Sequence, residues 1–260
     1  MQFPSALDSV LSALMEIREN SARPPRASRI ALDRLLEKRE SAPRKIDIDN
    51  SEGVGRSKID MLAAINARVA VCTRCPHLAS SRTQTVFGVG NADADLMFVG
   101  EAPGADEDAQ GEPFVGRAGQ LLTKIIETMG FKRGDVYIAN ILKCRPDMPR
   151  GASGNRPPTL AEMETCRPYL LEQIEIIQPR VVVALGATAV EGLLGSRGSM
   201  RDLRGRWHDY NGTPLMITYH PAYLLRNQSP SEKRKVWEDM LLVLEKLERP
   251  ISEKQRNYFL

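Results

Sequence analysis

The sequence predicts an α/β fold: an open, mostly parallel four-stranded sheet with helices on both faces. Two observations predict it. From about residue 60 onward, short apolar runs alternate with longer stretches of helical period, the pattern of strands joined by crossover helices. The composition, 42% hydrophobic and 27% charged, is that of an ordinary globular chain and excludes a wholly disordered or fibrous one.

The elements follow in order. Residues 4–17 set Leu7, Val10, Leu11, Leu14 and Met15 on a helical stripe, which Pro24 and Pro25 end. A shorter stripe runs through Ile30, Leu32, Leu35 and Leu36, and residues 39–58, charged or small and without period, read as a solvated linker. The first stripe has two readings, a helix packed on the main domain and a helix that engages a protein partner. Residues 1–60 are thus expected to form an N-terminal extension, 61–250 the main domain and 251–260 a tail. Strands are expected at 96–99, 136–138, 181–185 and 215–218. Helices are expected at 116–129, with Leu121, Leu122, Ile125 and Ile126 on one face and Gly130 as the stop, and at 160–177, stopped by Pro179. Two more are expected at 187–194 and at 231–247, the last with Trp237, Leu241 and Leu244 inward.

At 260 residues the chain has room for one sizeable domain and an appendage. Its longest apolar stretch, Val181 to Val190, is far short of the ~20 residues of a membrane helix. The start MQFPSALD has neither a basic nor an apolar block, so a cytoplasmic protein with no membrane partner is expected. A net charge of +3 does not declare a nucleic-acid binder but permits local basic patches. Lys143, Arg145, Arg150 and Arg156 flank a Pro/Gly loop with only Asp147 opposing, and Arg197, Arg201, Arg204 and Arg206 gather around Gly205, ahead of Trp207 and His208.

The four apolar runs continue into GEAPG (100–104), AN (139–140), LGA (185–187) and YHP (219–221). Open parallel sheets bind ligands beyond the carboxyl ends of their strands, so Glu101, Asn140 and His220 are expected to converge. GEAPG suits a sharp loop with backbone N–H groups facing a ligand, but the chain has no GxxxxGK[ST] Walker loop and this turn no GxGxxG. Cys72 and Cys75 form a CxxC half-site, with Cys144 after the second strand and Cys166 in the next helix. Zinc and a cubane iron–sulfur cluster fit that spacing about equally. Structural disulfides are not expected in a chain with no export signal.

The segments GEAPGADED, GEPFVGRAGQLL, YIANILKCRP, LGATA and YHPAYLLRN, together with the four cysteines, resemble the motif series of the family 4 uracil-DNA glycosylases over most of the main domain. The resemblance implies a glycosylase-like sheet and a repair hydrolase that flips uracil out of DNA, single- or double-stranded, and leaves an abasic site. It also implies a monomer carrying a [4Fe–4S] cluster on Cys72, Cys75, Cys144 and Cys166 and acting on nucleoid DNA. In the base pocket it implies Gly100, Ala102 and Gly104 along the loop, Phe114 stacked on the flipped base, and Asp106 or Glu107 walling its C5 side against thymine. The Asn140 amide can accept from uracil N3–H and donate to O4, a match that cytosine reverses at a cost of ~1–3 kcal/mol; standing alone, Asn140 would read as a cap of the following turn. His220 donating to O2 would stabilise the departing anion, a contact whose loss costs ~10²–10³ in rate; its bland reading is a turn residue before Pro221. Leu224 and Leu225 resemble a wedge entering the base stack, with Arg226 on phosphate, and Lys143, Arg204 and Arg206 are the expected basic contacts to the backbone.

The chain departs from the glycosylase plan in two places. Ala102 stands where other families place a water-activating aspartate, which leaves Glu101 or backbone groups for that task. PDMPRGASGN, between Cys144 and Cys166, looks like an insertion. No histidine lies in 145–165, so the covalent chemistry of a related branch is not expected. Two other classes compete: a non-catalytic iron–sulfur or zinc DNA-binding module on this fold, and a phosphate- or nucleotide-binding enzyme, against which the missing phosphate-loop spacings argue.

Overall fold

The computed structural model describes residues 57–149, 154–195 and 198–260; the readings made for residues 1–56, for Arg150 and for Arg197 lie outside them. Six strands form one sheet in the order β1-β3-β2-β4-β6-β5. They are β1 (Val89–Gly90), β2 (Leu96–Gly100), β3 (Tyr137–Asn140), β4 (Val181–Leu185), β5 (Trp207–Tyr210) and β6 (Thr213–Thr218). The four expected strands are its parallel centre, β3-β2-β4-β6. The expectation of four strands is corrected by two antiparallel edges, β1 on β3 and β5 on β6. Neither edge carries an apolar run: β1 is two residues long, and three of the four residues of β5 stay at least partly exposed. β5 turns into β6 through Asn211 and Gly212, both at positive φ (51° and 85°), the backbone of a tight hairpin turn that suits Asn-Gly.

Ten helices flank the sheet among the described residues. They are α1 (Lys58–Ala70), α2 (Pro76–Ser81), α3 (Ala105–Gln110), α4 (Arg117–Thr128), α5 (Leu160–Ile177), α6 (Ala187–Leu194), α7 (Met200–Leu203), α8 (Pro221–Arg226), α9 (Pro230–Lys246) and α10 (Glu253–Arg256). Alternation along the strands sorts side chains to two cores. Met97, Val99, Ala139, Val182, Ala184 and Ile217 join residues of α1, α5 and α6 on one face. Phe98, Ile138, Val183, Leu185 and Met216 join those of α4 and α9, including Trp237 and Leu244, on the other. Period-2 strands and amphipathic helices thus meet as their patterns require.

Two expected boundaries move. The Ser57 hydroxyl accepts from the Asp60 N–H while the Asp60 carboxylate accepts from the Ser57 N–H, a reciprocal cap that starts α1 at Lys58. Lys58 Nζ donates to the Ile177 carbonyl and pairs with Asp93, each at 3.0 Å, so the main unit begins inside the expected linker. Residues 251–260 are not a free tail. Trp237 Nε1 donates to the Gln255 carbonyl at 2.5 Å, and Arg234 donates to the carbonyls of Arg256 and Tyr258.

Candidate active site

β2 connects to β3 on one side and, after α5 crosses back, β4 pairs with β2 on the other. The crevice beyond the adjacent ends of β2 and β4 is therefore where an open sheet presents a ligand site. The ladder between β2 and β3 continues past both strand ends, with Ile141 N–H on the Gly100 carbonyl and Leu142 N–H on the Glu101 carbonyl. This continuation holds the GEAPG loop and the end of β3 in register.

Asn140, the last residue of β3, is 2% exposed, and its Oδ1 is a buried acceptor with no hydrogen-bond partner. It performs no cap of the following turn. A Cβ on Gly100 would collide with both the Phe114 ring and Asn140 Oδ1, so glycine there opens the space that these two side chains share. The Phe114 ring also stacks on the His220 imidazole, with centroids 5.5 Å apart and planes at 28°. Gly100, Phe114, Asn140 and His220, spread over 120 residues of sequence, thus line one small region.

Phe114 is held there by its surroundings. Its backbone is left-handed, φ 56°, a conformation that costs a non-glycine residue energy and persists only where neighbours over-determine it. The Glu107 carboxylate accepts from the N–H groups of Gly104, Val115 and Gly116, and Arg133 donates to the Pro113 carbonyl at 2.5 Å. A Cβ at Gly119 in α4 would run into the Phe114 carbonyl group. With both oxygens bound to backbone, Glu107 braces the loop. Phe114 also packs into the apolar core beside α4.

His220 caps α8, its Nδ1 accepting from the Ala222 N–H at 3.1 Å. The ring proton therefore sits on Nε2. Burial, and secondarily the Arg226 charge, push its pKa down to about 4, so the imidazole is neutral at neutral pH. Glu101, half-buried, is hydrogen-bonded to Thr188 at the start of α6, and burial raises its pKa above the usual carboxylate range. Ala102, half-buried, packs against the core on the face covered by α1, α5 and α6. Of the three residues expected to converge, Asn140 and His220 share the region of the Phe114 ring, while Glu101 bonds to Thr188 beyond the end of β4.

The four cysteines line one small enclosed cavity together with Leu78, Leu142 and Tyr169. Cys72 and Cys75 stand just before α2, Cys144 follows β3 and Cys166 lies in α5. Arg82 donates to Cys144 Sγ at 3.0 Å and the Lys143 N–H to Cys166 Sγ at 3.2 Å. Burial pushes the Cys166 thiol up to about 11. Four soft donors with N–H groups aimed at two of them make a site suited to a thiolate-ligated metal centre.

The basic residues divide. Arg206 and Arg226 are exposed, while Leu225 is half-buried and Leu224 buried, both along an apolar groove of about 530 Å³ bounded also by Trp237 and Tyr258. Lys143 is corrected: it is 1% exposed and donates to the Asn140 carbonyl at 3.0 Å and to Gln173 Oε1 at 2.5 Å, so it cannot meet DNA. Arg204 is corrected likewise. It pairs with the buried Asp239, which accepts from Thr218 Oγ1 at 2.6 Å at the end of β6. Arg156, expected to face only Asp147, is also bound to Glu162, itself joined to His77. Its segment sets Asn155 beside Gly104.

A family model described as the uracil DNA glycosylase superfamily matches residues 87–241, the span that contains all of these strand ends. The chain belongs to the uracil DNA glycosylase superfamily. Among curated glycosylases it is similar to the type-4 uracil-DNA glycosylase of Thermotoga maritima, 47% identical over 183 residues that cover 70% of this chain and 92% of the relative. The type-4 enzyme of Pyrobaculum aerophilum is 43% identical over 64% of this chain and 85% of its own length. That of Archaeoglobus fulgidus is 38% identical over 69% and 94%.

Within this glycosylase frame, reasoning from sequence missed Thr188, Gln173 and the bracing role of Glu107. Gln173 left a trace, a polar residue seven positions from Cys166 on the buried side of α5. Thr188 left none.

Proposed function

We infer that this glycosylase flips uracil out of DNA and hydrolyses its N-glycosidic bond, leaving an abasic site for base excision repair. The observation that carries the reading is the buried Asn140 Oδ1, an acceptor without a donor beside Phe114 and the neutral His220. An unsatisfied buried acceptor costs about 1–3 kcal/mol, which uracil N3–H relieves, while the amide N–H meets O4. Cytosine presents an acceptor at N3 and an amine at C4 and leaves both partners opposed. Phe114 supplies the stacking face.

As the bond breaks, the sugar becomes cationic and uracil leaves as an anion with charge on O2. A neutral His220 with its proton on Nε2 donates to that oxygen and itself carries no charge that must be desolvated. Water adds to C1′, and its proton passes to Glu101, the carboxylate nearest the loop position where Ala102 has no acid–base group. Arg206 and Arg226 bind phosphates, and Leu225 is the wedge residue. The enzyme is read as a monomer, and the substrate implies action on nucleoid DNA in the cytoplasm.

The four cysteines are read as ligands of a [4Fe–4S] cluster; when bound, it supplies a covalent clasp between residues 72–75, the end of β3 and α5. Arg82 and the Lys143 N–H stabilise the thiolates. Iron analysis of anaerobically prepared protein tests this assignment: a brown protein with iron supports it, and zinc without iron overturns it. The activity itself is tested on matched uracil- and thymine-containing oligonucleotides followed by alkaline cleavage. Scission with uracil alone is the expected result. No scission with uracil returns the chain to a non-catalytic DNA-binding module.

A further inference from the structure

Lys143 is the only fully buried lysine among the described residues. Burying an ammonium is costly unless each N–H finds a partner. Here two find oxygens, the Asn140 carbonyl and Gln173 Oε1, and the Phe87 ring lies 5.8 Å away. Gln173 cannot turn away without loss, because its Nε2 donates to the Phe87 carbonyl at 3.1 Å and to Tyr137 Oη at 3.0 Å. Two turns earlier on α5, Cys166 Sγ accepts the Lys143 N–H. Residues 140–144 are thus pinned to one helix at two points, and the pin nearer the crevice grips the backbone of Asn140.

We propose that Lys143 is the positioning residue for Asn140: by holding the Asn140 carbonyl against Gln173, it fixes the direction in which the amide meets the base. The inference rests on the reading of Asn140 as the uracil-binding amide. A lysine with a purely structural task would behave differently, since buried polar groups replaced by apolar ones of similar size often leave a protein as stable as before.

The test is a double-mutant cycle with the full chain, measuring single-turnover excision of uracil, inhibition by free uracil and affinity for abasic-site DNA. Lys143→Met is expected to slow excision and weaken uracil inhibition by about 10- to 100-fold, the scale of a small misplacement. Abasic-DNA affinity should stay within about twofold of wild type, the scatter of independent sites. In an Asn140→Ala background the same change should cost nothing further, because the group it positions is gone. A second full loss in that background, or an equal loss of abasic-DNA affinity, overturns the proposal, as does a Lys143→Met enzyme that inhibits and turns over like wild type. If Lys143→Met does not fold, Gln173→Met replaces it in the same cycle with the same criteria. An Asn140→Ala enzyme as fast as wild type would instead overturn the reading of Asn140.

Discussion

His220 and Arg204 illustrate how a single residue's surroundings assign its work. With a folded pKa near 4 against ~6.5 for a free imidazole, His220 stays neutral across the range where an exposed histidine titrates. Its contribution to stability is therefore complete above about pH 6.5 and is lost as pH falls toward 4, because the unfolded chain takes up the proton first. The single-turnover rate should accordingly show no histidine break between pH 6 and 7 and should fall only at lower pH. A limb near 6.5 that disappears in His220→Gln contradicts this. Arg204 was legible as charge and misread as a DNA contact, since sequence shows a guanidinium but not Asp239, 35 residues later, folded beneath it. Arg204→Met should cost about 3–5 kcal/mol by stranding a buried carboxylate. Burial raises the Asp239 pKa to about 6 even with Arg204 beside it, and removing that charge raises it further, so the loss should be full well above that pH and gone once the carboxyl is protonated in both proteins below about 6. Denaturant unfolding at pH 5 and pH 8 measures this, and the salt dependence of DNA binding should not change. Arg206→Ala should instead reduce the salt slope by about one.

At the scale of elements, the four central strands and four of the five helices of eight or more residues among the described residues were legible because their apolar periods are strong, whereas α1 was not read. α5, α6 and β4 have the expected ends, while the other expected elements shift by one or two residues at one end or both. The edges were not legible by apolar count. Tyr210-Asn211-Gly212-Thr213 did carry a hairpin signal in its turn residues, which an argument built on apolar runs passes over. α3 was hidden inside a glycine-rich acidic stretch, and its start is bound up with Glu107, whose carboxylate serves the loop on both sides of it. α4 shows a glycine with a packing reason. Gly119→Ala would ordinarily stabilise a helix interior by about 1 kcal/mol, but the added methyl meets the Phe114 carbonyl, an overpacking cost of about 1–3 kcal/mol. The expected result is a lower thermal midpoint together with slower uracil excision, because the helix moves against the loop that aims Phe114. A more stable variant of full activity would show that α4 does not brace the site.

Over the whole molecule, the strand-end argument anticipated that Asn140 and His220 come together, because a parallel sheet delivers its carboxyl ends to one side, while Phe114, which lies off the strands, was named only by the motif resemblance. What sequence could not supply is the contact set behind that side, such as Lys143 on Gln173, because such pairs lie far apart in the chain and share no period. The proposed site draws nothing from residues 1–56, so a chain beginning at Gly55, which keeps the Ser57 cap, should excise uracil from a short oligonucleotide within about tenfold of the full-length rate, or 1.4 kcal/mol. A greater loss with the fold intact would show that the N-terminal segment reaches the substrate. The central claim, that Asn140 selects the base and His220 carries the developing charge, is tested most directly by single-turnover rates of Asn140→Asp and His220→Ala on U·G, U·A and C·G duplexes. Asn140→Asp should lose uracil steeply and gain slow excision of cytosine, whereas His220→Ala should lose about 10²–10³ in rate on uracil with no change in which base is chosen. Small and equal effects of both substitutions would contradict the account, since neither side chain would then face the base.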